Sequence, residues 1–138
     1  MNLTIPAMSS LAIAAVTRFE DEALKLPQIE IETMHALHAG VYTRTMRMPK
    51  HSVVTGALVK IDTVLTIAGD AWMTTEEGPV RLTGYHVLTA AAGRKQAFVA
   101  IGETYVTMTF ATCAATIEQA EEEFTDDAHR LLSRKQEK

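Results

Sequence analysis

Apolar and polar positions alternate in short runs through most of the chain. "QIEIE" sets Ile29 and Ile31 against Glu30 and Glu32, and "VYTRTMRM" sets Tyr42, Arg44, Met46 and Met48 against Val41, Thr43, Thr45 and Arg47. The runs "SVVTGALV", "IDTVLTIA", "AWMTT", "PVRLTG", "KQAFVAI" and "TYVTMTFA" follow, rich in β-branched residues and punctuated by turn signals such as "EEGP" and "AAGRK". Side chains in a strand alternate between its two faces, so each run predicts a half-buried strand. Roughly eight such strands at regular spacing predict an antiparallel sandwich or barrel.

The period changes at both ends of this region. In residues 1–26 Ala12, Val16, Phe19 and Ala23 recur at helical spacing, while Glu20, Asp21 and Glu22 fall mostly off that stripe. Ser9 or Ser10 can cap this helix, and Pro27 ends it. Residues 114–138 read as a second, acidic helix. Thr116 and Gln119 have capping-box spacing, Ile117, Ala120 and Phe124 share one side, and "TDD" offers a second short start. Glu118 and Glu121 lie near the positive end of the helix, and "SRKQEK" reads as a frayed, solvated end. The organisation expected is one domain: a helical segment at 1–26, a barrel at 27–113 and an acidic helix with its tail at 114–138.

Composition narrows the function classes. A chain of 138 residues with 47% hydrophobic and 22% charged residues can bury a real core. Its formal charge of −4 gives no basic footprint for nucleic acid. The single cysteine, Cys113, excludes an internal disulfide and a multi-cysteine zinc site. No apolar run reaches the length of a membrane span. The opening "MNLTIPAMSSLAIAAV" lacks the basic start of a secretion signal and is expected to be helix.

The order of motifs resembles the small cupins encoded by tailed bacteriophages and prophages. The resemblance runs from about Leu26 to Phe124. It begins with "HALHAGVYTRTMRMPKHSVVTG", where a Gly-Val-Tyr-x-Arg strand leads through a turn to a threonine-glycine. It continues through "EEGPVRLTGYHVLTAAAGRKQAFVAIGETYVTMTFAT", with a hairpin, a Gly-Arg-Lys corner and an acidic-Thr pair opening the last strand. The resemblance implies a mainly β, cupin-type jelly-roll barrel flanked by two helices. It further implies a homo-oligomer, dimeric or higher, working in the host cytoplasm or carried in a virion. It implies no particular reaction.

Metal-binding cupins use histidines and a carboxylate inside the barrel, ligands suited to iron, manganese, nickel or zinc. In the phage group the first set looks like His-Lys-x-acid-His, with another His late in the last strand. On this chain the first set becomes Val59-Lys60-Ile61-Asp62-Thr63, and the later position falls on Phe110. Only Asp62 keeps a ligand-capable group, so no metal and no other cofactor is expected. Alternation puts Val59, Ile61, Thr63, Leu65 and Ile67 on one face, and Val106, Met108 and Phe110 repeat the pattern. With both faces turned inward, the barrel is expected to be filled by side chains, leaving Lys60 and Asp62 as a solvated pair outside.

Other chemistry has little support. His35 and His38 follow a β-like segment, His51 lies in a turn, and His86 and His129 stand elsewhere, so no metal cluster is expected. His35 precedes the Gly-Val-Tyr strand, as a His commonly does in the family it resembles, and is a candidate for shaping the barrel mouth. Cys113 has no neighbouring base, and adjacent His51 and Ser52 in a strand would point apart. The leading expectation is a non-catalytic phage protein acting by self-assembly or by contact with phage structural proteins. The alternative is capture of a small molecule. Arg44, Arg47, Arg81, Arg94 and Lys95 would then supply anion contacts, and Tyr42, Trp72 or Tyr105 a stacking surface. A metal-dependent enzyme ranks last. Candidate ligand or interface contacts are Tyr42, Arg44, His35, His86 and Tyr105.

Overall fold

The structure is a computed structural model and describes residues 4–131 and Arg134. Its elements in chain order are β1 (Thr4–Ile5), α1 (Ser10–Ala23), β2 (Glu32–His38), β3 (Val41–Met48), β4 (Val53–Thr55) and β5 (Thr63–Thr75). They continue with β6 (Gly78–Ala90), β7 (Ala97–Ala100), β8 (Thr104–Ala111), α2 (Ile117–Phe124) and a 3-10 turn at Ala128–Arg130. The main sheet runs β1-β6-β5-β8-β3-β2, and the short pair β4-β7 joins it through β5. This is the expected mainly β barrel with a helix at either end. The sheet is mixed rather than wholly antiparallel, because β1 pairs with β6 in parallel.

Three of the expected strands are two. "IDTVLTIA" and "AWMTT" join as β5, and "PVRLTG" runs on through "GYHV" to make β6, each 13 residues long. These long strands let β5 serve two layers: Val64–Ala68 pair with β8, and Ala71–Met73 pair with β7. Gly69 sits at the change of partner with φ 146°, and a Cβ there would come within 2.5 Å of the Glu103 carbonyl oxygen. Only a glycine lets β5 pass Thr104 this closely. The Thr104 hydroxyl bonds both the N–H and the carbonyl of Asp70 across the crossing.

Inward faces follow the alternation closely in β3, β5 and β8. Tyr42, Met48, Leu65, Ile67, Met73, Val106, Met108 and Phe110 form one core with Leu82, Leu88 and Phe98. "QIEIE" is corrected: the strand starts at Glu32, Ile31 is buried and Ile29 is exposed, so only its second isoleucine belongs to the core.

Both helices carry an acid where the apolar stripe meets the barrel. Ser9 caps α1 through the Ala12 N–H, as expected. Its inner side, however, is Ala12, Ile13, Val16 and Glu20, while Phe19 is exposed. The Glu20 carboxylate accepts from Lys95 Nζ at 3.2 Å and from the Thr55 hydroxyl at 2.7 Å. In α2 Thr116 accepts from the Gln119 N–H, while Gln119 Oε1 reaches back to Ala115 rather than to the cap residue. Ala120, Glu121 and Phe124 are its buried positions. The frayed end expected at 133–138 lies outside the described residues except for Arg134, which Glu121 holds at 2.9 Å.

Candidate functional site

The barrel interior is not filled. A cavity of about 420 Å³ opens between the sheet layers, lined by Ile31, Leu65, Phe98, Val106 and Met108 among others. This corrects the expectation of a packed interior. An inward apolar face shows where a side chain points, not whether it meets a partner across the barrel. The end of α1 and the segment after it (Leu24 and Leu26 to Ile29) also line the cavity, as do Asp127, Arg130 and Leu131.

Charged groups also line this cavity, and they come from three elements. Arg44 projects inward from β3, because it shares the face of Tyr42 and Met46. Its Nη1 donates to Glu121 Oε2 at 2.7 Å, and its guanidinium lies 5.8 Å from the centre of the Phe124 ring. Glu121 is 3% exposed and also accepts from Arg134, so one carboxylate sits between two guanidinium groups. Lys95 is tied to Glu20, and its Nζ also donates to the Gly56 carbonyl.

Arg94 is different. It is 2% exposed and lies in the corner before β7. Its Nε donates to Gln96 Oε1 at 3.3 Å, its Nη1 to the carbonyls of Ala90 and Ala91 at 3.3 and 2.9 Å, and its Nη2 to the Thr63 hydroxyl at 2.6 Å. Burial pulls its pKa down to about 10, partly opposed by the field of Asp62, so the group stays cationic at neutral pH. The sequence shows no periodicity at "GRKQ" that would have marked this side chain as interior.

The positions to which the resemblance assigns metal ligands do not fit a transition metal. Val59 is half-buried hydrocarbon whose backbone pairs with Arg94, and the Thr63 hydroxyl serves the Arg94 guanidinium. Phe110 packs edge-on between Tyr42 and Phe124, with ring centres 5.4 and 6.1 Å away. Asp62 is exposed and accepts from the Ala92 N–H, while Lys60 pairs with Asp126 at 2.6 Å. The expected Lys60–Asp62 pair is therefore replaced by two separate contacts. Among the described residues no three His, Cys, Asp or Glu side chains converge on one point.

Of the five candidate contacts, only Arg44 lines the cavity. Tyr42 is completely buried and its hydroxyl lies 2.7 Å from His35 Nδ1, so both serve the core beside β8. Burial raises the Tyr42 pKa, a shift that a hydrogen bond from Arg44 partly offsets, and the phenol stays neutral. His86 lies elsewhere on β6, its Nε2 2.8 Å from the Thr83 carbonyl. Tyr105 faces outward from β8. Arg94, Lys95 and Arg44, read in the sequence as scattered cations, are brought to one cavity, whereas Arg47 and Arg81 stay on the surface with Glu103 and Asp70.

Comparison with solved structures supports a cupin fold. A cupin superfamily protein from Desulfitobacterium hafniense matches with a TM-score of 0.50 at 19% identity, over 65% of this chain and 86% of its own. KdgF from Halomonas sp. matches with a TM-score of 0.51 at 14% identity, over 62% and 82%. Salicylate 1,2-dioxygenase from Pseudoaminobacter salicylatoxidans matches with a TM-score of 0.52 at 12% identity, over 83% of this chain and 33% of its own. At these identities the likeness is one of fold. No family model matches the chain, and no curated protein does. Among the described residues no helix is long and apolar enough to cross a membrane.

Proposed function

We propose that this protein is a small-molecule-binding cupin that encloses a mainly apolar ligand in its barrel without transforming it. The observation that carries this reading is the cavity of about 420 Å³, a size in the range of ligand pockets, with an apolar wall and a few fixed polar groups. Several of its polar side chains are already engaged: Ser52 Oγ donates to the Pro49 carbonyl, and Lys95 and Arg44 hold carboxylates. Such groups orient a ligand better than they attack one.

The test is calorimetric titration of the full chain with 1-octanol, a neutral probe of suitable size. Binding with a negative heat-capacity change is expected, as apolar surface leaves water. Val106→Phe narrows the cavity and should weaken binding at least about tenfold, since it takes up the volume the probe needs. Absence of binding up to the solubility of the alcohol overturns the reading.

A second reading, self-assembly as a phage or virion component, draws support from the outer face of the sheet. Across β3, β8, β5 and β6 that face carries Thr43, Thr45, Thr107, Thr66, Val64 and Val87, uncharged and partly or fully exposed. Thr45 and Thr107 hydroxyls bond across the strands at 2.8 Å, which satisfies these polar groups within the face. A second copy could cover it, the commonest arrangement for a homo-oligomer. Sedimentation should then give twice the 15.1 kDa chain mass, and Thr107→Arg should return the protein to a single chain. A wild-type monomer would exclude this arrangement.

A further inference from the structure

We infer that the cavity receives a small monoanion, a carboxylate on a hydrocarbon skeleton, and that its head group pairs with Arg94. The inference rests on the binding role proposed above and adds the charge of the ligand.

Three observations lead to it. First, Arg94 is a buried cation with only neutral partners: among the described residues no carboxylate oxygen comes within 4.0 Å of it. Burying a charge without a counter-charge is costly, and hydrogen bonds to carbonyl and hydroxyl oxygens offset only part of that cost. Second, a guanidinium has five N–H donors, and four hydrogen bonds account for those of Arg94, so its fork keeps a donor for a further acceptor. Third, the lining reverses the sign of the chain. The whole protein carries −4, yet Arg44, Arg94, Lys95 and Arg130 face the cavity against Glu20 and Asp127. Glu121 answers Arg44, and Glu20 answers Lys95 and, at 3.7 Å, Arg130, which leaves Arg94 as the lining cation without an ion pair, under the more distant field of Asp62 alone.

The rest of the wall selects the remainder of the ligand. Leu65, Val106, Met108 and Phe98 offer no donors, so the part of the ligand that lies against them is hydrocarbon. One guanidinium without an ion pair, beside an apolar stretch of wall, therefore matches one carboxylate on an apolar body. Arg is suited to this task because it stays charged, and its remaining Nη2 N–H can make one charge-assisted hydrogen bond to a carboxylate oxygen.

The experiment compares octanoate with 1-octanol, which share a chain length and differ in charge, by calorimetry on the full chain. Octanoate should bind at least about tenfold more tightly, the advantage expected of a hydrogen bond to a charged group in a dry site. Arg94→Met should bring the ratio of octanoate to 1-octanol affinity close to one, whatever it does to the two affinities together, and Arg94→Lys, which keeps a cation, should retain part of the preference. Equal binding of the two probes to the wild-type protein, or a preference for the alcohol, overturns the inference and leaves the binding role standing. Failure of both probes removes the binding role itself. If Arg94→Met does not fold, the Arg94 Nε–H resonance of the wild-type protein decides: it must shift with octanoate and stay in place with 1-octanol. A shift equal for both probes rejects Arg94 as the partner.

Discussion

Arg44 enters the barrel from β3 and meets a buried carboxylate at 2.7 Å, whereas Arg94 enters from the corner before β7 and meets four neutral oxygens. Both border the same cavity. The first is a structural charge: Glu121 reaches it from α2, and the pair fixes the helix across the end of the barrel. The second holds its own corner together, linking Thr63, Gln96 and two carbonyls, yet among the described residues it has no ion-pair partner, only the more distant field of Asp62. Identical side chains are thus placed in one interior under different electrostatic conditions. The paired one contributes to closing the barrel, and the unpaired one is the better placed to meet something that arrives from outside.

The largest effect should come from breaking the paired side. Glu121→Ala leaves Arg44 inside the barrel without its buried carboxylate and releases Arg134, and loss of one partner from a buried ion pair costs about 3–5 kcal/mol. Urea unfolding should show that loss as a lower midpoint. Combining Glu121→Leu with Arg44→Met should restore most of the stability, because two apolar side chains of similar size remove both desolvated charges. A double variant as unstable as Glu121→Ala would mean that the helix is held by some other contact.

On the unpaired side the loss should be smaller. Arg94→Met strands the Thr63 hydroxyl, the Gln96 side chain and two carbonyls, a cost of about 1–3 kcal/mol. Removing an uncompensated buried charge works in the opposite direction. The comparison predicts an ordering, with Glu121→Ala less stable than Arg94→Met when both are unfolded in urea. The reverse ordering would show that Arg94, not the Arg44 pair, is the main polar brace of the barrel.

The contrast also shows what the sequence could reveal. Arg44 was readable as interior, because Tyr42, Arg44, Met46 and Met48 alternate against threonines, and Tyr42 and Met48 are indeed fully buried. Ser9 and Thr116 were readable as caps from the residue types that satisfy free N–H groups. Glu20 and Glu121 were missed as inward groups although each sits on the helical stripe with its apolar neighbours: Val16 and Ala23 for one, Ile117 and Phe124 for the other. A charge on an apolar stripe is the signal, and it marks a cation waiting on the facing layer. Arg94 carries no such mark, since it lies outside any periodic run. The cavity was unreadable for a geometric reason: alternation gives the direction of a side chain, not its distance from the opposite wall, and β5 changes partner at Gly69 without any periodic mark of it. The two-residue strand β1 was missed because "TI" is too short to show alternation.

A third arginine, paired on the surface, tests how far burial, rather than pairing as such, sets these magnitudes. Arg81 donates to both oxygens of Asp70, at 3.0 and 2.9 Å, on the outside of the β5–β6 hairpin. Its geometry is as good as that of Arg44 with Glu121, but water screens it. The hydrogen bond from Arg81 holds the Asp70 carboxyl below its ordinary pKa. A lowered carboxylate pKa stabilises the folded state above the unfolded pKa, and the gain is lost as the pH falls through the folded value. The difference in stability between wild type and Asp70→Asn should therefore be small at neutral pH and shrink on acidification past the ordinary carboxylate range. It should be well below the effect of Glu121→Ala at every pH in a series of urea melts. An Asp70→Asn loss equal to that of Glu121→Ala would mean that bidentate geometry, and not exclusion of water, decides what an ion pair contributes in this fold.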